Sequence, residues 1–221
     1  MSARHAVAVV ATFVALGHPL LVPTASAAPY GHAFREIAEP VAITDGRALV
    51  ALARAALEAA ARGEPLPEPP TAGRDPAPFG VFVTAVRDRK VRGCFGRLDP
   101  GGGSVAEMVI EAAHGAARLD VRNRPIMPGE LRELDLIVSL VGPIEPIEST
   151  ASLDPWTMGL LVRADSRAAV LLPGEARTAR WQVAESRRKA GIAPGEPVQM
   201  FRFPTITLIE HELFPSKGDT Q

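Results

Sequence analysis

A single cysteine, Cys94, in a chain of 221 residues excludes an internal disulfide. In an oxidising compartment that thiol must stay buried, react, or pair with another molecule. Excess charge is also lacking. The formal net charge of −1 steers the chain toward neither nucleic acid nor an anionic membrane surface. Metal-ligand spacing is absent, with no H-E-x-x-H and no second cysteine, so no metal site is expected. The sequence contains no G-x-G-x-x-G and no P-loop lysine after its glycines, so the residues name no cofactor. No repeat of fixed period appears.

The apolar run at the start, residues 6–17, is too short to cross a bilayer. It follows the basic MSARH and leads to Ala25, Ser26 and Ala27, the order of a secretory signal peptide over residues 1–27. Cleavage is expected after Ala27, because cutting after Ala28 would leave Pro29 beyond the scissile bond. No cysteine lies nearby to carry a lipid. The expectation is therefore an exported protein, periplasmic or extracellular, without a stable membrane anchor. Arg4 is the only Lys, Arg, Asp or Glu in the leader, so the mature chain has a formal charge of −2. Its length suits one domain or two closely packed lobes.

After an N-terminal segment, residues 28–43, the stretch 44–62 places Leu49, Leu52, Ala56 and Ala59 at helical spacing. It has a polar start at Thr44 or Asp45 and a stop at Gly63. Residues 63–80 are too rich in proline and glycine for helix or central strand and read as an extended connection. FGVFVTAV, RDRK and VRGCFG then form a β-hairpin. Side-chain alternation in its second strand points Arg92 and Cys94 one way and Val91, Gly93 and Phe95 the other. Ser104 followed by Glu107 is a capping box that starts a helix. Residues 120–133 read as a loop with at most one helical turn, and Leu134–Val141 as a strand. A second hairpin turns at Asp165 and Ser166. A helix follows from about Thr178 to Ala190, stopped by Gly191. The end supplies a late strand, or two divided by Pro204. Strands outnumber helices and both hairpins pair antiparallel, so the fold class is α+β, antiparallel or mixed sheets with flanking helices.

Several ordered blocks resemble the AMMECR domain family. They are GVFVTAVRDRKVRGCFGRLDP, ELRELDLIVSLVGPIEPIE, LLP and a helix ending RRKAGI, and the likeness covers residues 44–212, leaving 213–221 as a flexible C-terminal tail. Its most specific element is the pattern L-R-G-C-[IV]-G, present here as Val91 to Gly96. The resemblance implies two interlocked lobes with this hexapeptide lining a cleft between them. It implies no settled reaction, and it suggests a dioxygenase-like partner and a radical-SAM protein acting in a modification pathway. Three features depart from the family. The G-x-H-G histidine is missing where Trp156–Gly159 runs straight into LLVRA, D-x-R-F is here Asp120, Val121, Arg122, Asn123, and a radical-SAM partner is at odds with export.

The candidate catalytic residues are Cys94 and Arg92, and the candidate ligand-binding residues are Gly93, Gly96, Asp120 and Arg122. A nearby arginine and glycine amides favour thiolate over thiol; against this, a lone cysteine commonly just packs. A cysteine nucleophile also needs a base. Beyond the leader the histidines are His32, near the new N-terminus, His114 on a charged helix face, and His211 between two glutamates. None makes a defensible Cys-His-Asn set. Asp120 with Arg122 and Arg124 reads equally as a polar cluster or as a surface ion pair. DPGGGS reads as a linker that could hold an anion at the helix start. Trp156 and Trp181 are expected to anchor the core. Two functional classes stay open: a binding or adaptor module with a cleft around Arg92, Cys94 and Gly96, and an enzyme using Cys94 as nucleophile or redox centre on a small molecule or modified peptide. The missing histidine favours the first.

Overall fold

The computed structural model describes residues 30–70 and 77–214; the expected leader, 1–27, and most of the expected tail lie outside them. In chain order the elements are α1 (Tyr30–Arg62), β1 (Gly80–Arg87), β2 (Lys90–Arg97), α2 (Val105–Arg118), a 3-10 helix (Pro128–Glu133) and β3 (Asp135–Val141). Then come β4 (Glu145–Ile147), β5 (Met158–Ala164), β6 (Arg167–Leu171), α3 (Ala179–Ala190), β7 (Gln199–Ile209) and α4 (Glu210–Leu213). The class is α+β, and each registered strand pair is antiparallel. No helix among the described residues is long and apolar enough to cross a membrane.

The chain divides into two compact units. The larger is built on Gly31–Gly142 with the segment from Ile206, and the smaller on Pro143–Thr205. In the larger unit β1 lies between β2 and β3. Its pairs Val81↔Leu140, Val83↔Val138 and Ala85↔Leu136 put one apolar face under the helices. Against them pack Val50, Ala53 and Leu57 of α1, Val109 and Ala113 of α2, and Leu208 of β7. Burial of such side chains contributes about 1.5–3 kcal/mol each. Ser104 caps α2 with Glu107 in the expected capping box, and Gly63 ends α1 in a left-handed conformation at φ 72°.

Helix α1 starts earlier than its sequence periodicity indicates. Thr44 and Asp45 are exposed residues on its outer face, not its cap, and the buried stripe extends back through Ala38 to Phe34. The Phe34 ring meets Phe79 edge-on at 6.1 Å, so the stretch assigned to an N-terminal segment is helical from Tyr30. Leu213, assigned to the tail, closes α4 and packs on the core.

In the smaller unit β5 pairs with β6 on one side and β7 on the other, and β4 pairs with β7. Leu160, Val162 and Ala164 form its core with Leu153 and Ile192, and Val183 of α3 packs against them. Gly159 is required because a Cβ there would stand 2.2 Å from the Phe203 ring. β7 runs unbroken through Pro204. That residue faces Met158, the first of β5 and the last pair of their ladder, where a missing N–H is tolerated. The second hairpin turns at Asp165, in the left-handed region at φ 51°. Trp156 and Trp181 are not core anchors: they are 49% and 46% exposed. One sits in the turn before β5, the other in the first turn of α3 on its outer side.

Candidate functional site

The hairpin that carries the RGCFG stretch is set by its turn. Asp88 and Arg89 both have positive φ, 51° and 61°, the combination a two-residue hairpin turn uses to match strand twist. Counting back from that turn would pair Cys94 with Val83. Instead the register slips: Val86 faces Val91 but Ala85 faces Gly93. Arg92 is the extra residue of a β-bulge, and simple alternation does not carry across it. Cys94 consequently lies opposite Thr84.

Cys94 is 5% exposed and Thr84 is fully buried. The Thr84 hydroxyl donates to Cys94 Sγ at 3.1 Å. The Cys94 backbone points away from β1 and is held by the Asp120 loop. Its N–H donates to Asp120 Oδ2 at 2.9 Å, and its carbonyl accepts from Arg122 Nη2 at 3.3 Å. Arg122 grips both oxygens of Asp120 at 2.7 Å, and Asn123 Nδ2 adds a bond to Oδ2 at 3.2 Å. Asp120 and Arg122 thus clasp the outer edge of β2 at the cysteine. Burial tends to raise the pKa of Asp120, but the Arg122 hydrogen bonds and the Cys94 amide outweigh it and leave it lowered.

Arg92, 9% exposed, is directed elsewhere. Nε and Nη2 form a two-pronged pair with Glu130 Oε1 and Oε2, each at 2.8 Å, while Nη1 donates to the Arg124 carbonyl at 2.9 Å and Nη2 to that of Pro125 at 3.1 Å. The expectation of a guanidinium projecting beside the sulfur is therefore corrected. The bulge and the waiting carboxylate fasten Arg92 to the 3-10 helix. The Arg92 hydrogen bonds hold the Glu130 carboxyl at a pKa of about 2, far below its ordinary range, against a burial effect of opposite sign.

The two candidate glycines are filled by the protein itself. A Cβ on Gly93 would stand 2.3 Å from the Ala116 carbonyl of α2, and one on Gly96 would stand 2.2 Å from the Val81 carbonyl of β1. Gly115 repeats the theme from the helix side, with the Phe95 ring 2.1 Å from where its Cβ would be. The anion site considered at DPGGGS is closed by the helix's own cap: the Ser104 N–H donates to Glu107 Oε2 at 2.7 Å. Among the described residues no group of three or more His, Cys, Asp and Glu could hold a metal ion.

Sequence reading missed Thr84 and Glu130, because the bulge decides one and a contact 38 residues away decides the other. It also missed two pairs that tie α4 down. Arg54 holds Glu210 and donates to the Leu131 carbonyl at 3.2 Å and the Leu134 carbonyl at 2.8 Å. His211 Nδ1 meets Asp135, whose other oxygen accepts the His211 N–H at 3.2 Å. His114 stays on the polar face of α2, and the side chain of His32 lies outside the described residues.

The AMMECR1 family model matches residues 50–208. A protein of Methanothermobacter thermautotrophicus is 34% identical over 169 residues, 70% of this chain and 86% of that protein. One of Thermococcus gammatolerans is 35% identical over 193 residues, covering 76% of this chain and 90% of its own length. The crystal structure of an uncharacterised protein from Pyrococcus horikoshii superposes with a TM-score of 0.62 at 28% identity, over 73% of this chain and 89% of that one. The match thus takes in the RGCFG hairpin, the Asp120 loop and the last strand together, and the chain belongs to the AMMECR1 family.

Proposed function

We propose that this chain is a binding or adaptor module in which the RGCFG segment is a rigid frame and Cys94 a packed thiol. The observation that carries this is the engagement of the motif's polar groups. Arg92 is bonded to Glu130 and two carbonyls, and Asp120 and Arg122 hold the Cys94 backbone. An enzyme that used Arg92 to bind an anionic group would have to release it from a buried carboxylate. The family resemblance suggests a dioxygenase-like protein as partner; Arg92, Gly93, Cys94 and Gly96, buried and bonded within the fold, support the surface it meets and do not themselves form an open cleft.

The enzymatic reading has one observation in its favour. A hydroxyl donating to sulfur, as Thr84 does, stabilises the thiolate form. Iodoacetamide labelling across pH separates the two. A packed thiol resists the reagent while the chain is folded and reacts once it is denatured. Rapid native labelling, with an apparent pKa well below the ordinary value of about 8.5, would return Cys94 to the role of nucleophile. Export is a second part of the proposal, supported by the basic start, the short apolar run and the Ala25-Ser26-Ala27 site. Sequencing the N-terminus of protein recovered from outside the cytoplasm tests it; a chain still beginning at Met1 refutes cleavage.

A further inference from the structure

Along α3 the two residues fully withdrawn from solvent are not aliphatic: they are Gln182 and Ser186, each at 0% exposure. They stand four residues apart, so they share a helix face, one turn above the other. The Gln182 carboxamide is oriented by a single contact, Nε2 donating to the Met158 carbonyl of β5 at 3.1 Å. Its Oε1 is thereby turned away as an acceptor, and it has no hydrogen-bond partner among the described residues. Ser186 Oγ is buried in the same condition. A serine inside a helix commonly returns its hydroxyl to the carbonyl four residues back. Ser186 does not make that bond to Gln182, nor does its hydroxyl bond Gln182 Oε1.

Two sealed oxygens on one helix face, bonded neither to protein nor to each other, call for something between them that donates to one and exchanges a hydrogen bond with the other. Side chains at this spacing have Cβ atoms about 5–6 Å apart. One water making two hydrogen bonds of about 2.8 Å joins oxygens up to about 5.6 Å apart. Oε1 can only accept, so whatever joins the two oxygens must donate to it. The geometry points to a single internal water that donates one hydrogen to Gln182 Oε1 and bonds Ser186 Oγ with its other hydrogen or a lone pair. Such a water continues the chain that starts at the Met158 carbonyl of β5 from Gln182 to Ser186 and braces the carboxamide that holds α3 to β5. Beside these two polar residues, Ala179, Val183 and Ala190 of this helix pack against the core.

A high-resolution crystal structure of the full chain, together with oxygen-17 relaxation dispersion to count long-lived waters, tests this. The expected result is a density peak within hydrogen-bond distance of both oxygens, one fewer long-lived water in Ser186→Ala, and a lower melting temperature for that variant. A dry site in the wild type overturns the proposal. So does a Ser186→Ala variant that melts at the same or a higher temperature, because removing an unsatisfied hydroxyl relieves a penalty. Should the variant fail to fold, the wild-type density and water count decide alone: a peak bridging both oxygens supports the site and its absence refutes it.

Discussion

Both units contain a hairpin with a helix laid on it, α2 on β1 and β2 in the larger, α3 on β5 and β6 in the smaller, and they stabilise it with different chemistry. α2 buries Met108, Val109, Ile110 and five small residues, and the glycines at 93 and 115 let its backbone approach β2 closely. The polar groups around that hairpin are joined into hydrogen-bonded sets, Arg92 with Glu130 and Asp120 with Arg122 and the Cys94 amide. α3 instead buries Gln182 and Ser186 and contacts its core through Ala179, Val183 and Ala190. A shared local arrangement therefore does not dictate which side chains hold it; apolar area and close backbone contact do so in one unit, a buried polar row in the other.

The comparison is broken most severely at Gly93. Gly93→Val should abolish folding, because its Cβ meets the Ala116 carbonyl backbone, which cannot rotate aside; soluble expression and far-UV circular dichroism read the outcome. Gly129→Ala, where a Cβ meets nothing within 4 Å, should be close to neutral. Next, Glu130→Ala leaves the Arg92 charge buried and uncompensated, with an expected loss of about 3 kcal/mol in denaturant unfolding. The same pair predicts a pH dependence. The unfolded Glu130 titrates near about 4.3 and the folded one at about 2. The pair's contribution is complete above the unfolded value and is lost as pH falls from there toward 2. Glu130→Gln should flatten that acid limb, and an unchanged acid transition would refute the assignment.

Asp120→Asn should cost roughly 1–3 kcal/mol, because the Cys94 N–H and Arg122 lose a charged acceptor. It should also speed iodoacetamide labelling of Cys94 by loosening the strand edge; labelling at the wild-type rate would separate the clasp from the thiol's protection. The smallest effect is expected on the outer face of α3. Arg180→Ala, at an exposed position of that helix, should change stability in denaturant unfolding by less than about 0.5 kcal/mol.

Of the site, the hairpin and the capping box of α2 were legible because each rests on a local rule: alternating apolar residues around a polar turn, and a serine three residues before a glutamate. The partners of Cys94 and Arg92 were not. A one-residue bulge changes which residue of β1 faces the sulfur, and no local pattern announces a bulge where Arg92 replaces regular alternation. Glu130 looked like an ordinary loop carboxylate until the fold carried it across 38 residues to the arginine. The early start of α1 was hidden for a related reason: Phe34 and Ala38 continue the buried stripe only once Phe79 and the sheet are there to receive it.

By itself the sequence determined the α+β class, the two hairpins with their turns, the helix stops at Gly63 and Gly191, and the family. These follow from backbone preferences and from periodicities of two and 3.6 residues, which act over a few neighbours. Only the tertiary structure decided that Arg92 clasps Glu130 instead of the thiol, that Asp120 and Arg122 bind a strand edge, and that α3 buries polar side chains. Burial and hydrogen-bond partnership depend on which distant segments meet, and a charged or polar group taken out of water has to bond whatever acceptor or donor the fold brings to it.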